Sequence, residues 1–445
     1  SKEEVPHPGE PQQGREVRRW KYALFKENLD LSIADLEAWQ RIFDPSWYLA
    51  LKITRNKTAS LNLDQELAKR PESVNPDMNS SSKELRLSLT SSTPSAPIFL
   101  PEHGLNITPS STVPHSSIKT AQRQTESPKS DQCYIIETFD CPPNVDRKLM
   151  TRNVRNFASK LAQAEPDSFG LLRCKGVIPH CPDESRVPSS FTFVYWMPNG
   201  MDQPISLRSR LIEGQKDHSL SERFRLASEL AKSVSFVHMY DFVHKNIRPE
   251  TIVLLHNSAS LLGSAFLVGF ENVRTAEGIT ARLGDDSWQR DLYRHPRRRG
   301  QAPEDDYIMQ HDIYSLGVCL LEIGLWRSFV VQDDGGEFVP SAALHSSALG
   351  PTSDVEQVQG DGLKDQLVAL ASSELPKWMG TSYSEIVRTC LTCLDPDNVD
   401  FGDEREFEDE DGIVVGVRFI QKVRLRHDWF ARVQYFERVT DHTMF

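Results

Sequence analysis

Apolar residues at Phe224, Leu226, Ala227, Leu230, Ala231, Val234 and Val237 recur three and four apart and predict an amphipathic helix over Leu220 to Met239. Shorter apolar runs predict strands at 133–139, 171–178 and 191–197, with a helix from Arg147 to Ala164 after the first. Further helices are expected near 363–373 and 383–394, and the acidic, Ser-rich stretch 331–361 reads as an insertion. Near the start, Trp20, Leu24, Leu31, Leu36, Trp39, Ile42 and Phe43 space as an amphipathic helix that Asp44-Pro45 interrupts, because a residue before proline avoids helical geometry. The chain opens without Met and partway through this pattern, so upstream sequence is expected. Residues 55–131 are mostly Ser, Thr, Pro, Asn and Lys; too little apolar surface to offset ordering entropy predicts a disordered linker. The acidic run Asp400 to Asp411 reads as a solvated loop, and Gly412 to Leu425 regains apolar residues that can pack back.

These elements predict an α+β fold. With 445 residues and 38% hydrophobic content, the chain supports one sizeable core plus much exposed sequence. A net charge of −12 gives no general affinity for nucleic acid or anionic membrane, and the basic cluster Arg294 to Arg299 reads as solvated. No apolar run is long enough for a transmembrane helix and no signal core precedes the first element, so a cytoplasmic protein is expected. Seven scattered cysteines argue against a disulfide framework. Cys390 and Cys393 form a lone Cys-x-x-Cys, which without a second pair reads as buried helix cysteines rather than a metal site, as do Cys174 and Cys181. No metal site is predicted.

One segment carries most of the chemical information: His244-Lys245-Asn246-Ile247-Arg248-Pro249-Glu250-Thr251. It resembles the protein-kinase catalytic loop His-Arg-Asp-Leu-Lys-Pro-Glu-Asn, in which the Asp accepts the substrate hydroxyl proton and the Asn holds a magnesium ion. Later landmarks follow in order. Phe266-Leu267-Val268-Gly269-Phe270-Glu271 is similar to the strand entering the Asp-Phe-Gly metal motif, with Gly269 in place of the Asp. Tyr293-Arg294-His295-Pro296 resembles the end of an activation segment, and His311-Asp312-Ile313-Tyr314-Ser315-Leu316-Gly317-Val318 resembles the helix start Asp-x-Trp-Ser-Leu-Gly. The resemblance is to the eukaryotic protein kinases across roughly 132–395. Its flavour is that of kinase-like proteins of filamentous fungi with an upstream helical prion-inhibition (HeLo-type) region, to whose end Arg18 to Trp47 is similar.

The resemblance implies a two-lobed kinase-like fold: a helical segment at 1–54, the linker at 55–131, a degenerate N-lobe at 132–200 lacking its first hairpin, and a helical C-lobe at 201–435 with acidic insertions. It also implies structural duties for His244, Phe270, Asp312 and Gly317. Catalytic residues are not expected. Asn246 is a neutral amide that cannot accept a proton near neutral pH, Gly269 offers no carboxylate, and Thr251 only a hydroxyl. No Gly-x-Gly-x-x-Gly precedes residue 133, and the strand 134–139 carries no lysine. The expected function is therefore that of an inactive pseudokinase, a signalling or scaffold module with a protein partner and no cofactor. The alternative is an ATP- and magnesium-dependent Ser/Thr kinase with non-standard ligands, in which Glu271 replaces the lost carboxylate, Lys245 or Arg248 contacts phosphate, and Lys160 or Lys175 reaches the cleft.

Overall fold

In a computed structural model, five segments pair antiparallel into the larger sheet: β1 (Ile107–Thr112), β2 (Ile118–Arg123), β3 (Cys133–Asp140), β4 (Cys174–His180) and β5 (Ser190–Trp196), in the order β1-β2-β3-β5-β4. The structure describes residues 97–402 except 102–106, 124–132, 143–145, 183–186, 215–217, 241, 259, 273, 276–286, 301–302, 304, 334, 345–361 and 399. All of these belong to one of two compact units, Pro45–His427; the other, Ser1–Asp44 with Asp428–Phe445, lies outside the described residues. So do the expected helical segment 1–54, most of the linker and most of the acidic tail.

Period-two alternation divides β3. Tyr134 and Ile136 join Ala121, Ile178 and Val194 in one buried cluster. Ile135, Glu137 and Phe139 point to the opposite face, where the Phe139 ring lies 5.9 Å from Phe191 and 5.8 Å from Phe193. Helix α1 (Arg147–Leu161) links β3 to β4; the side chain of Asp146 caps it, accepting from the backbone N–H groups of Lys148 at 2.9 Å and Leu149 at 3.2 Å. Its apolar face carries Val154, Phe157, Ala158 and Leu161 inward.

The remainder is mainly helical. β6 (Asp202–Ser206) leads through Ser206, which caps α2 (Leu207–Glu213), to α3 (Leu220–Met239), whose bounds are those the periodicity predicts. β7 (Phe242–Val243) precedes β8 (Ile252–Asn257) and β9 (Ser260–Leu267), which form a sheet of order β6-β8-β9; β10 (Arg274–Thr275) pairs with β7. The free edge of β9 is closed by α3: Glu222 accepts from Leu261 and Leu262 N–H, and Glu229 from Ala265 N–H. α4 (Met309–Leu325) is buried along its whole length, and the hairpin of β11 (Val330–Gln332) and β12 (Phe338–Pro340) follows. α5 (Gly362–Ser373) and α6 (Leu375–Leu391) then pack beside it, α6 kinked at Gly380. Among the described residues no helix is long and apolar enough to cross a membrane.

The structure corrects the linker expectation in part. Residues 97–101 and 107–123 belong to the fold, so the first hairpin is present: β2 pairs with β3 from Ile118 to Gln122, and Leu100 N–H donates to Val177 O at 2.8 Å. Of the apolar residues there, Ile98, Val113, Ile118 and Ala121 are buried and Phe99 and Leu100 half-buried, and an existing sheet edge satisfies the backbone, so composition alone misjudged the stretch. Within the expected insertion 331–361, β12 is ordered against β11.

Gly317 lies where α4 meets α6: a Cβ there would sit 2.8 Å from Cys390 Cβ and 3.2 Å from Leu391 N. Gly317→Ala should destabilise the domain by about 1–3 kcal/mol despite its better helix propensity, measured by urea unfolding.

Candidate functional site

Asp312, in the first turn of α4, is completely buried and organises the segment between β7 and β8. Its carboxylate accepts from His244 N–H at 2.8 Å, Lys245 N–H at 2.9 Å, Tyr307 O–H at 2.7 Å and His238 Nε2 at 3.1 Å. Converging amides hold Lys245 in left-handed backbone geometry, φ 69°. Burial alone would raise the Asp312 carboxyl, but the hydrogen bond and charge of His238, with His244 and Tyr307, bring it down to about 2. Burial likewise lowers His244 to about 4, against the pull of Asp312. The neutral ring donates from Nε2 to Val268 O at 2.8 Å while Nδ1 accepts from Asn246 N–H at 3.2 Å. The ring of Phe270 stands 4.7 Å from His244 and 4.6 Å from Phe157 of α1, forming an aromatic column between the larger sheet's helix and the helical part.

Asn246, Thr251 and Gly269 interlock. Asn246 donates from Nδ2 to Gly269 O at 3.4 Å and accepts at Oδ1 from Arg248 Nε at 2.9 Å. The Thr251 hydroxyl faces Asn246 O at 2.7 Å and Arg248 O at 2.9 Å and accepts from Arg248 N–H, bracing the loop from within. Gly269 has φ +87°, and a Cβ there would lie 2.3 Å from Thr251 Cγ2 and 2.7 Å from Thr251 Cβ. The three positions are filled by one another.

The charged candidates are engaged within the chain. Lys245 Nζ lies over the Tyr307 ring at 5.5 Å, Arg248 approaches Glu250 at 4.0 Å, and Glu271 pairs with Arg290 at 3.7 Å. Lys175 sits over the Trp196 ring at 4.1 Å, on the face of the sheet that carries Tyr134 and away from Glu137.

Two residues that the sequence left unremarked are central. Glu137 of β3, 2% exposed, accepts from Gly269 N–H at 3.0 Å and from Ser117 Oγ at 3.1 Å. Burial raises its carboxyl to about 7, with the nearby Glu271 charge adding to that and the Gly269 and Ser117 hydrogen bonds opposing it. A lone acid inside the apolar run Tyr134 to Phe139 was the available signal. Arg208 of α2 is fully buried between Glu250 at 3.2 Å and Glu322 at 3.0 Å, and also donates to Ser328 Oγ at 2.6 Å and to the Tyr293 hydroxyl. One guanidinium thus serves two carboxylates. Burial keeps Glu322 above the usual range, whereas for Glu250 the Arg208 and Arg248 charges outweigh burial and lower it.

The β1–β2 turn closes over this region. Ser116 Oγ donates to Glu250 O at 2.8 Å, and Pro114 O accepts from Ser206 Oγ at 2.6 Å and Ser209 Oγ at 3.1 Å. Among the described residues no group of three His, Cys, Asp or Glu is placed to hold a metal ion. Cys390 and Cys393 are free and buried; burial pushes the Cys390 thiol up to about 12, and Cys393 donates to Gln310 O at 3.2 Å. Cys174 is buried and Cys181 exposed. The arrangement offers a buried carboxylate and hydroxyls, with a neutral amide at Asn246. No protein-family model matches the chain, and no curated protein matches it.

The folded state holds the Glu137 proton to about pH 7, whereas an unfolded carboxyl releases it near 4.5. The stability this group confers is complete below pH 4.5 and lost as pH rises to 7. Glu137→Gln should remove that slope, leaving the variant more stable than the parent by about 3 kcal/mol at pH 8 and equal to it near pH 4, read from denaturant midpoints across pH. Gly269→Ala should cost about 2–4 kcal/mol, from left-handed backbone strain plus overpacking against Thr251, read in the same assay.

Proposed function

We propose that this chain carries a kinase-like domain that has given up phosphoryl transfer and works by binding a protein partner. The observation that carries the reading is Glu137. In the protein kinases that Asn246 to Thr251 resembles, the corresponding strand supplies a lysine to the phosphates, and the residue at Gly269 supplies the carboxylate for magnesium. Here the strand presents a carboxylate instead, bonded to the Gly269 amide. That carboxyl supplies no cation to hold a triphosphate, and position 269 supplies no side-chain carboxylate for a metal.

The strand order β1-β2-β3-β5-β4 with α1 between β3 and β4, the Phe157–Phe270–His244 column and the Asp312 tether all support the two-lobed kinase-like reading. Each of these groups has a packing or hydrogen-bonding duty that survives without catalysis, which is what a retained scaffold requires. The upstream HeLo-type region and a role in regulated signalling rest on the resemblance of residues 18–47 to fungal kinase-like proteins. The competing active-kinase reading needs Glu271 as metal ligand, and Glu271 is spent on Arg290.

Thermal unfolding with ATP, with and without magnesium, tests the proposal. A ligand at ~100 times its Kd adds about 2.7 kcal/mol to the folded state. No shift at millimolar nucleotide is expected. A magnesium-dependent rise in Tm would overturn the reading and return the domain to the active kinases.

A further inference from the structure

The turn joining β1 to β2 is held in an unusual manner. Its flanks are apolar and buried, Val113 at 2% and Ile118 at 0% exposure, yet its tip, Pro114 to Ser117, is half-buried or exposed. Among the described residues, the hydrogen bonds tying this tip to the rest of the domain come from serine hydroxyls: Ser116 to Glu250 O, Ser117 to Glu137, and Ser206 and Ser209 to Pro114 O. Those contacts reach β3, α2 with its cap, and the Pro249–Thr251 turn, so the tip bridges the larger sheet and the helical part. His115 at the apex takes left-handed geometry, φ 52°, and its ring meets Phe338 of β12 edge-on at 6.1 Å.

We infer that Pro114–Ser117 is a strap that closes over Glu137 and lifts, hinged at Val113 and Ile118, without unfolding the domain. Hydroxyl-to-carbonyl bonds each contribute little net stability, because water replaces them when the strap lifts, whereas burial of Val113 and Ile118 keeps its roots in place. Local opening of such a weakly packed turn lies at the low end of the stability range within a domain. The lever is negative charge. Ser117 Oγ faces the Glu137 carboxyl, and Glu271 stands close enough to add its own repulsion. An anion at position 117 would therefore sit against the Glu137 carboxylate, with the Glu271 charge close by, and like-charge repulsion would drive the tip outward. The strap stands on these contacts alone, whether or not the partner-binding reading holds, since neither nucleotide nor partner enters its test.

The experiment is amide hydrogen exchange on the full chain at pH 7, comparing the parent with S116A/S117A, S117D, E137Q and S117D/E137Q. In S116A/S117A, exchange of residues 115–118 and of the Gly269 amide should quicken by about tenfold, the factor for roughly one lost net hydrogen bond. S117D should open the same amides further, and E137Q should reverse most of that gain. The amides of α4 should keep parental protection throughout. Unchanged exchange at 115–118 and Gly269 in S117D would overturn the strap. So would an equal gain in S117D with and without Glu137, or loss of protection in α4 in step with the turn, which would make the tip part of the core. A nucleotide-induced Tm shift in the parent would sink the proposed function and leave these outcomes untouched.

Discussion

The Asp312 carboxylate accepts from two backbone amides, a tyrosine hydroxyl and a histidine ring in a fully buried place, and the whole central segment hangs from it. A buried carboxylate without partners costs several kcal/mol, so the chain is compelled to bring His244 N–H, Lys245 N–H, Tyr307 and His238 to one point. That convergence sets the backbone of residues 244–246, forces Lys245 into left-handed geometry, and aims the His244 ring at Val268 O and Phe270. Phe270 in turn meets Phe157, so the position of α1 against the helical part follows from one anion on α4. A site held this way is rigid without any bound ligand.

Within that frame the cleft is closed by ordinary polar bookkeeping. Asn246, Thr251 and Gly269 satisfy each other's hydrogen-bonding groups and leave no room for a Cβ at Gly269. Glu137 and the β1–β2 tip then cover what is left. Electrostatics points the same way. Glu137 stands with Glu271 nearby, whereas the fully buried Arg208 is committed to Glu250 and Glu322. Two carboxylates neutralise the Arg208 guanidinium, and desolvated ion pairs of this kind specify geometry more than they add stability.

The cysteines make a similar point about context. A Cys-x-x-Cys spacing is chemically suggestive, yet Cys390 is packed against Gly317 of α4 and burial drives its thiol up to about 12, as expected of a buried packing cysteine. Packing at the α4–α6 contact explains both the small residue at 317 and the small thiol facing it.

Residue identity by itself determined the α+β class, the helix at Leu220–Met239, the strands about 133, 174 and 190, and the chemical fact that Asn246 and Gly269 cannot do what aspartates do, because periodicity and side-chain charge are local properties. His244, Phe270 and Asp312 were singled out by the resemblance that short contiguous motifs carry. The hairpin 107–123, Glu137 and Arg208 were decided only in three dimensions. Glu137 meets Gly269 across 132 residues and Arg208 meets Glu322 across 114. A polar, Ser-rich stretch gains its order from the sheet edge it joins, and a lone acid in a strand gains its role from the amide that folding brings to it. Neither gain can be read from the residues alone, since the free energy lies in the pairing of distant groups and not in either group by itself.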